Sequence, residues 1–324
     1  MLTLKNITKT HFRHDLINED NMINSTLAPV ALFVYARPVH TQRTIDALLL
    51  NPEALSTDLI VYSDGAKSDK DITAVNKVRN IIINTVGFNT ITLIEREVNV
   101  GLAKNIIDGV SETCKKYGKV IVLEDDIVTS SCFLNFMNSA LNKYKNNKNV
   151  WHVSGWNYPL KNIDNLPETF FWRTMNCWGW ATWNDRWKHF EKNPKKLLST
   201  WTKEDVKSFN LDYKYDFWVQ VINNDKGLLN TWAIFWYATI FRHKGLCLNP
   251  TKTYVTNIGN DGSGENCGSI DIYKTNLNDN AEIDWPHDFN ENTMILNEIK
   301  KFYYMTGPFL FPRIIRKLKR VFKL

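Results

Sequence analysis

The chain has no run of about 18 apolar residues, so a membrane-spanning helix is not expected. Its first 28 residues are polar and mixed in charge, without the apolar core of a secretory signal. Its five cysteines, Cys114, Cys132, Cys177, Cys247 and Cys267, lie far apart with no C-x-x-C pair. That argues against a disulfide framework or a structural zinc site and fits a reducing compartment. No segment recurs with a period of 20–50 residues, which tells against a solenoid or propeller. G-x-x-x-x-G-K, G-x-G-x-x-G and G-x-S-x-G are all missing, which weakens P-loop, dinucleotide-binding and serine-hydrolase readings.

A basic body is missing too. The net charge is +6, yet residues 313–324, RIIRKLKRVFKL, hold six basic residues and no acid, which leaves the other 312 residues neutral. A nucleic-acid protein more often spreads basic residues over a binding face, so no nucleic-acid partner is expected. In the tail, Ile314, Ile315, Leu318, Val321 and Phe322 share one helical face, which predicts an interfacial helix on an anionic membrane. A solvated basic helix is the alternative. The expected location is cytoplasmic, with peripheral association at the inner face of the membrane.

What is present suits a folded globular protein. The 324 residues, 44% hydrophobic and 23% charged, allow one large domain or two of ordinary size around a substantial core. Four apolar, β-branched runs, 30–36, 58–64, 90–97 and 119–126, read as strands buried on both faces. Helical patterns at 41–50, 69–85 and 101–117 separate them. In the last, Leu102, Ile106, Val110, Cys114 and Tyr117 form one face. Strand and helix in alternation predict an α/β fold with a mostly parallel sheet and helices on both faces. Ligands of such sheets bind beyond the carboxyl ends of the strands, which here carry Arg37, Asp64, Glu95 and the trio Glu124, Asp125, Asp126.

A further helix is expected from about Ser131. Composition then shifts: residues 1–150 hold no tryptophan, and 151–236 hold eleven of the twelve. Most of these are expected in the core, with some available to stack on sugar rings. Residues 201–226 look helical, and 230–256 read as two strands. The run NIGNDGSGENCG, 257–268, has four glycines and reads as a loop, either a surface turn or a flap over a ligand.

The run VIVLEDDIV carries the strongest chemical signal. Three adjacent carboxylates closing a buried strand suit an oxygen-loving divalent cation that also bridges a diphosphate. Solvated strand-end acids are the plainer alternative. In SDG, 63–65, Asp64 is either a turn residue or an acceptor for a base or ribose. In VNVGLAKNI, 98–106, a glycine opens a helix whose amides can approach phosphate, with Lys104 as a cation. Candidate general bases in the second half are Asp185, Asp212, Asp216 and Asp225. Asp216 stands out in KYDFW, where partial burial would raise its pKa. Arg242 and His243 are candidates for phosphate contact.

Taken in order, these segments resemble the N-acetylglucosaminyltransferase I family and its bacterial surface-polysaccharide relatives, nucleotide-sugar glycosyltransferases of the GT-A fold. The likeness spans roughly residues 28–265. APVALFVYARPVHTQRTIDALL is similar to the family's first strand and helix, and LIVYSDG to its base-binding strand. KVIVLEDDIVTSSCFLNFMNSAL is similar to the metal-binding strand and the helix after it. NVWHVSGWN, CWGWATW, YDFW and GLCLNPTKTYVTNIG follow in family order. The resemblance implies Asp126 as direct ligand of Mn2+ or Mg2+, with Asp125 and Glu124 on the ribose and sugar. It implies Asp64 on uracil, Arg37 near the nucleotide and Asp216 as base. The family's base lies in a W-D-D-W block, where this chain has Tyr215, Asp216, Phe217 and Trp218.

The implied organisation is an N-terminal extension (1–27), a nucleotide-sugar half (28–150), an aromatic-rich acceptor half (151–300) and the basic tail (301–324). The implied reaction is a single inverting displacement from a UDP-sugar to a hydroxyl of a glycan or lipid-linked acceptor, in surface-polysaccharide synthesis. Two alternatives remain. A nucleotidyltransferase would use a similar sheet, but ARPVHTQR lacks the glycines of its loop. A non-catalytic carbohydrate-binding protein would use the Trp-rich half alone.

Overall fold

The computed structural model describes residues 2–7, 27–161, 163–261 and 272–306. The basic tail 313–324 and residues 262–268 of the glycine-rich run lie outside the described residues. The strands are β1 Leu2–Ile7, β2 Val30–Val34, β3 Asp58–Ser63, β4 Thr90–Arg96, β5 Lys119–Glu124, β6 Ile127–Thr129, β7 Val150–Ser154, β8 Thr169–Trp172, β9 Trp180–Trp183, β10 Leu246–Pro250 and β11 Val255–Asn257. The helices are α1 Pro38–Leu49, α2 Asp69–Asn84, α3 Leu102–Tyr117, α4 Phe133–Lys143, α5 Asn184–Trp187, α6 Pro194–Thr200, α7 Lys203–Phe209, α8 Trp218–Asp225, α9 Ala233–Arg242 and α10 Thr293–Thr306.

Nine strands form one sheet in the order β1-β4-β3-β2-β5-β9-β7-β10-β8. The pairs β4–β3, β3–β2, β2–β5 and β7–β10 are parallel. Strands β1, β9 and β8 run against their neighbours. Six of the nine strands therefore share one direction, giving a mostly parallel α/β sheet. The sheet crosses the midpoint of the chain without a break, because β5 pairs with β9. The N-terminal segment, read from sequence as a bare extension, supplies β1 on the edge of β4.

Burial on both faces explains the strand composition. All five residues of β2 are buried, as are Val120 to Leu123 of β5. Each Val, Leu, Ile or Phe among them contributes about 1.5–3 kcal/mol when fully removed from water. The chain steps outward through α1 and α2, then returns across the sheet through α3. With right-handed crossovers, α1 and α2 lie on one face and α3 on the other. Gly109 of α3 lets that helix close on the sheet, since a Cβ there would sit 2.7 Å from the Phe33 ring. Helix α3 stops at Gly118 in the left-handed conformation, φ 78°, whose N–H caps the Cys114 carbonyl. Strand β5 starts at the next residue. The return step places the topological switch point between β2 and β5.

The second half departs from the sequence reading in two places. The 201–226 stretch is two helices, α7 and α8, separated by Leu211, Asp212 and Tyr213 at φ 49°, 56° and 59°. Three consecutive left-handed residues cannot continue a right-handed helix. In 230–256, the first expected strand is instead α9. Its run AIFWYATIFR is buried from Ile234 through Ile240, and an apolar segment enclosed on every side has no periodicity to separate helix from strand.

His152, in β7, lies fully buried against the Trp180 ring, with centroids 5.3 Å apart. Its Nδ1 accepts from the Trp236 indole N–H at 3.2 Å, so Nε2 carries the proton and donates to the Asn176 carbonyl at 3.1 Å. Burial depresses its pKa to about 3, against a smaller upward effect of the Asn176 carbonyl. The folded state therefore refuses a proton that the unfolded chain binds below about pH 6.5. Stability is complete above that pH and declines as pH falls toward 3, by up to about 1.4 kcal/mol per pH unit. Urea midpoints from pH 7.5 to 4.5 should show this slope, and His152→Gln should flatten it. An unchanged slope in the variant would remove the assignment.

Candidate functional site

The carboxyl ends of β2 and β5 bring Arg37 and the acidic trio together. Strand β5 ends at Glu124, Asp125 and Asp126 form the turn, and β6 leaves in a new direction. Asp125 and Asp126 are buried, at 3% and 5% exposure. Arg37 Nη2 bridges them, pairing with Asp125 Oδ1 and lying 3.0 Å from Asp126 Oδ2. The Tyr35 N–H donates to Asp125 Oδ2 at 3.3 Å, and the Thr44 hydroxyl donates to the Asp125 carbonyl at 2.8 Å. The first strand-helix unit thus grips the acidic turn from below.

Charge at this cluster is only partly balanced. Burial works against the Arg37 guanidinium, but Asp125 and Asp126 more than offset it and hold it firmly protonated. Burial pushes the Asp125 carboxyl up, while Arg37 pulls it down. Burial, then Asp126 and Asp125, push the Glu124 carboxyl up as well, with Arg37 opposing them. One guanidinium pairs with two carboxylates, Asp125 and Asp126. Its Nη1 is buried without a hydrogen-bond partner among the described residues.

A segment distant in sequence completes the cluster. Strand β11 pairs with β6, and the Ile258 N–H donates to the Asp126 carbonyl at 2.9 Å. Gly259 then passes directly over the acids. A Cβ there would stand 2.3 Å from Asp126 Oδ2 and 3.1 Å from Arg37 Nη1, so any larger residue would have to push the Asp126 carboxylate aside. Asp261 reaches His40 of α1, with its Oδ2 3.0 Å from Nε2. The start of the glycine-rich run is therefore seated on the acidic cluster. The sequence signal for this was the glycine density alone.

Asp64 is 4% exposed and all four of its acceptor positions are taken. Oδ1 accepts from Gly65 and Val100 N–H, each at 2.9 Å. Oδ2 accepts from Gly101 N–H at 2.9 Å and the Asn99 amide at 3.1 Å. The carboxylate is committed to the loop that opens α3, and a base N–H would find no free lone pair on it. Lys104 is exposed, with its ammonium on Asp108 one turn later at 2.9 Å, and not turned to the acids.

The candidate bases are placed differently from expectation. Asp216 is exposed, which removes the partial burial that its aromatic neighbours suggested. Its Oδ1 accepts from Val219 N–H at 3.2 Å and the Asn210 amide at 3.0 Å, capping the start of α8. Phe217, not Asp216, faces the aromatic pocket beside it. Asp212 pairs with Lys300 at 2.6 Å, and Asp185 pairs with Arg186 and Lys148. Asp225 is exposed at the end of α8. Asn at 216 preserves a helix cap, so Asp216→Asn should leave the melting temperature nearly unchanged. With the cap as its role, kcat should change by less than about threefold. A loss of about 100-fold, the scale of general-base removal, would restore the catalytic assignment.

Arg242 and His243 lie at the opposite edge of the sheet, where β10 begins. The His243 ring stacks on Trp151 with centroids 4.6 Å apart, and Arg242 reaches Glu191 at 4.0 Å. They do not join the acidic cluster. No helix among the described residues is long and apolar enough to cross a membrane.

No protein-family model matches the chain, and no curated protein sequence does. Among solved structures it is similar to an active-site mutant of LgtC, with a TM-score of 0.35 and 9% identity, over 65% of this chain and 70% of that one.

Proposed function

We propose that the chain is a glycosyltransferase that moves a sugar from a nucleoside-diphosphate donor to a hydroxyl acceptor. One observation carries this reading: a buried Asp125–Asp126 pair and a half-satisfied Arg37 at the switch point of a mostly parallel sheet. Ligands of such sheets bind there. The donor set is made of hard carboxylate oxygens, which fits Mg2+ or Mn2+. Asp126, at the mouth beneath Gly259, would hold the ion, with Asp125 and Glu124 toward the ribose and sugar. When bound, such an ion supplies charge neutralisation for the departing diphosphate.

The chain's own residues do the rest. The free Nη1 of Arg37 is a buried donor that a phosphate oxygen would satisfy. Asp64 anchors the 99–101 loop, whose amides and α3 flank the nucleotide side of the crevice. Gly259 covers Asp126 and limits water there. The order of motifs supports uridine as the base, and surface-polysaccharide synthesis with a glycan or lipid-linked acceptor as the setting.

The test is a thermal-shift panel of UDP, GDP and CMP with their sugars, with and without manganese. A ligand of the folded state raises the midpoint by mass action. The expected result is a shift that needs both a uridine diphosphate and the metal. Pyrophosphate release in a donor assay, or no shift with any nucleotide, would overturn the reading.

A further inference from the structure

The acceptor half contains an aromatic pocket of about 230 Å³ walled by Trp156, Trp178, Tyr273 and Phe217, with Asn176 and Gln220 among its polar lining groups. Trp156 follows the carboxyl end of β7, and Trp178 immediately precedes Gly179 and β9. Strand β9 lies between β5 and β7. At about 4.8 Å per strand, the pocket opens on the same sheet edge as the acids, roughly 10 Å along it.

The rings are arranged as walls. Trp156 meets Trp178 edge to face at 4.7 Å and Tyr273 at 5.6 Å. Trp178 and Tyr273 are half-buried, so part of each faces the opening. Among the described residues, the fourteen that line it include no Asp, Glu, Lys, Arg or His. A charged group entering such a lining would lose its hydration without gaining a partner. Among the described residues, the side-chain amide of Gln220 has no hydrogen-bond partner, so it offers a donor and an acceptor at the pocket wall. The volume is below that of sites for drug-sized ligands and suits a single ring.

The geometry points to a binding site for one uncharged pyranose ring, the terminal sugar of the acceptor. Its C–H faces lie against the aromatic walls and its hydroxyls meet Gln220 and Asn176. The inference rests on the glycosyltransferase reading for the word acceptor, and it excludes uronic acids, sialic acids and sugar phosphates from the pocket.

The experiment uses the full chain and saturation-transfer NMR with six neutral methyl glycosides, beside glucuronic acid and glucose 6-phosphate. At least one neutral glycoside should bind in the millimolar range, and both charged sugars at least about tenfold more weakly. Trp178→Ala and Gln220→Ala, at half-buried positions, should each weaken that binding by about tenfold while leaving the UDP–manganese thermal shift unchanged. Equal binding to the variants, equal binding of charged sugars or silence from all six glycosides would overturn the pocket assignment. The two readings fail separately. Pocket-dependent sugar binding without any nucleotide shift keeps the sugar site and removes the transferase. A nucleotide shift without pocket-dependent sugar binding does the reverse.

Discussion

Asp126→Asn should abolish manganese-dependent binding of uridine diphosphate, lowering affinity by at least about 100-fold, because a ligating carboxylate matters more than its supporting shell. The fold should survive. Arg37 keeps its pairing with Asp125, and the Asp126 hydrogen bond to Ile258, just after β11, runs through its backbone carbonyl. The melting temperature without ligand should therefore move by no more than about 1–2 °C, the range for about 1 kcal/mol in a chain of 324 residues. Isothermal titration with UDP in manganese, and again in EDTA, separates the contributions. The variant should resemble the wild type in EDTA. Undiminished metal-dependent binding would remove Asp126 from the site.

Asp64→Ala should give the largest loss of stability of any single change around the crevice. It strips one buried carboxylate that accepts four hydrogen bonds from a half-buried loop. Three of the donors are backbone N–H groups that the side chain alone satisfies, and each unsatisfied buried donor costs about 1–3 kcal/mol. A total of about 3–5 kcal/mol is expected, after some donors find water. The melting temperature should fall by roughly 4–7 °C. Asp64→Asn should fall between, because one end of its amide is a donor aimed at donors. A loss below 2 °C for the alanine variant would show that the loop is held by something else. Nucleotide affinity measured well below the melting point then tells whether the carboxylate also serves the base. Its four contacts predict that any loss of affinity follows loop disorder, visible as faster amide exchange at residues 98–101.

Much of this architecture was legible before any coordinates. The strands at 30–36, 58–64, 90–97 and 119–126 stand out because burial on both faces leaves runs of Val, Ile and Leu with little polar interruption. The helices between them show their buried stripe at the spacing that 3.6 residues per turn requires. The Glu124, Asp125, Asp126 cluster was visible for the same reason, since carboxylates rarely close such a strand. These features are local, and each is encoded within ten or fifteen consecutive residues.

What only the tertiary structure decided are relations between segments far apart in the chain. Asp64 meets Val100 and Gly101, 36 and 37 residues away, and so becomes a loop anchor. Gly259 lands on Asp126 because β11 pairs with β6, a contact that glycine content cannot announce. Asp216 and Phe217 are adjacent, yet one caps a helix in solvent while the other lines the aromatic pocket, and KYDFW reads the same either way. The helical fate of Ala233–Arg242 was hidden because a segment enclosed on all sides needs no polar face. Periodicity reports where water is, so the sequence speaks clearly at the boundary between core and solvent. Where one part of the interior meets another, water is absent, and only the packed chain determines which side chains touch.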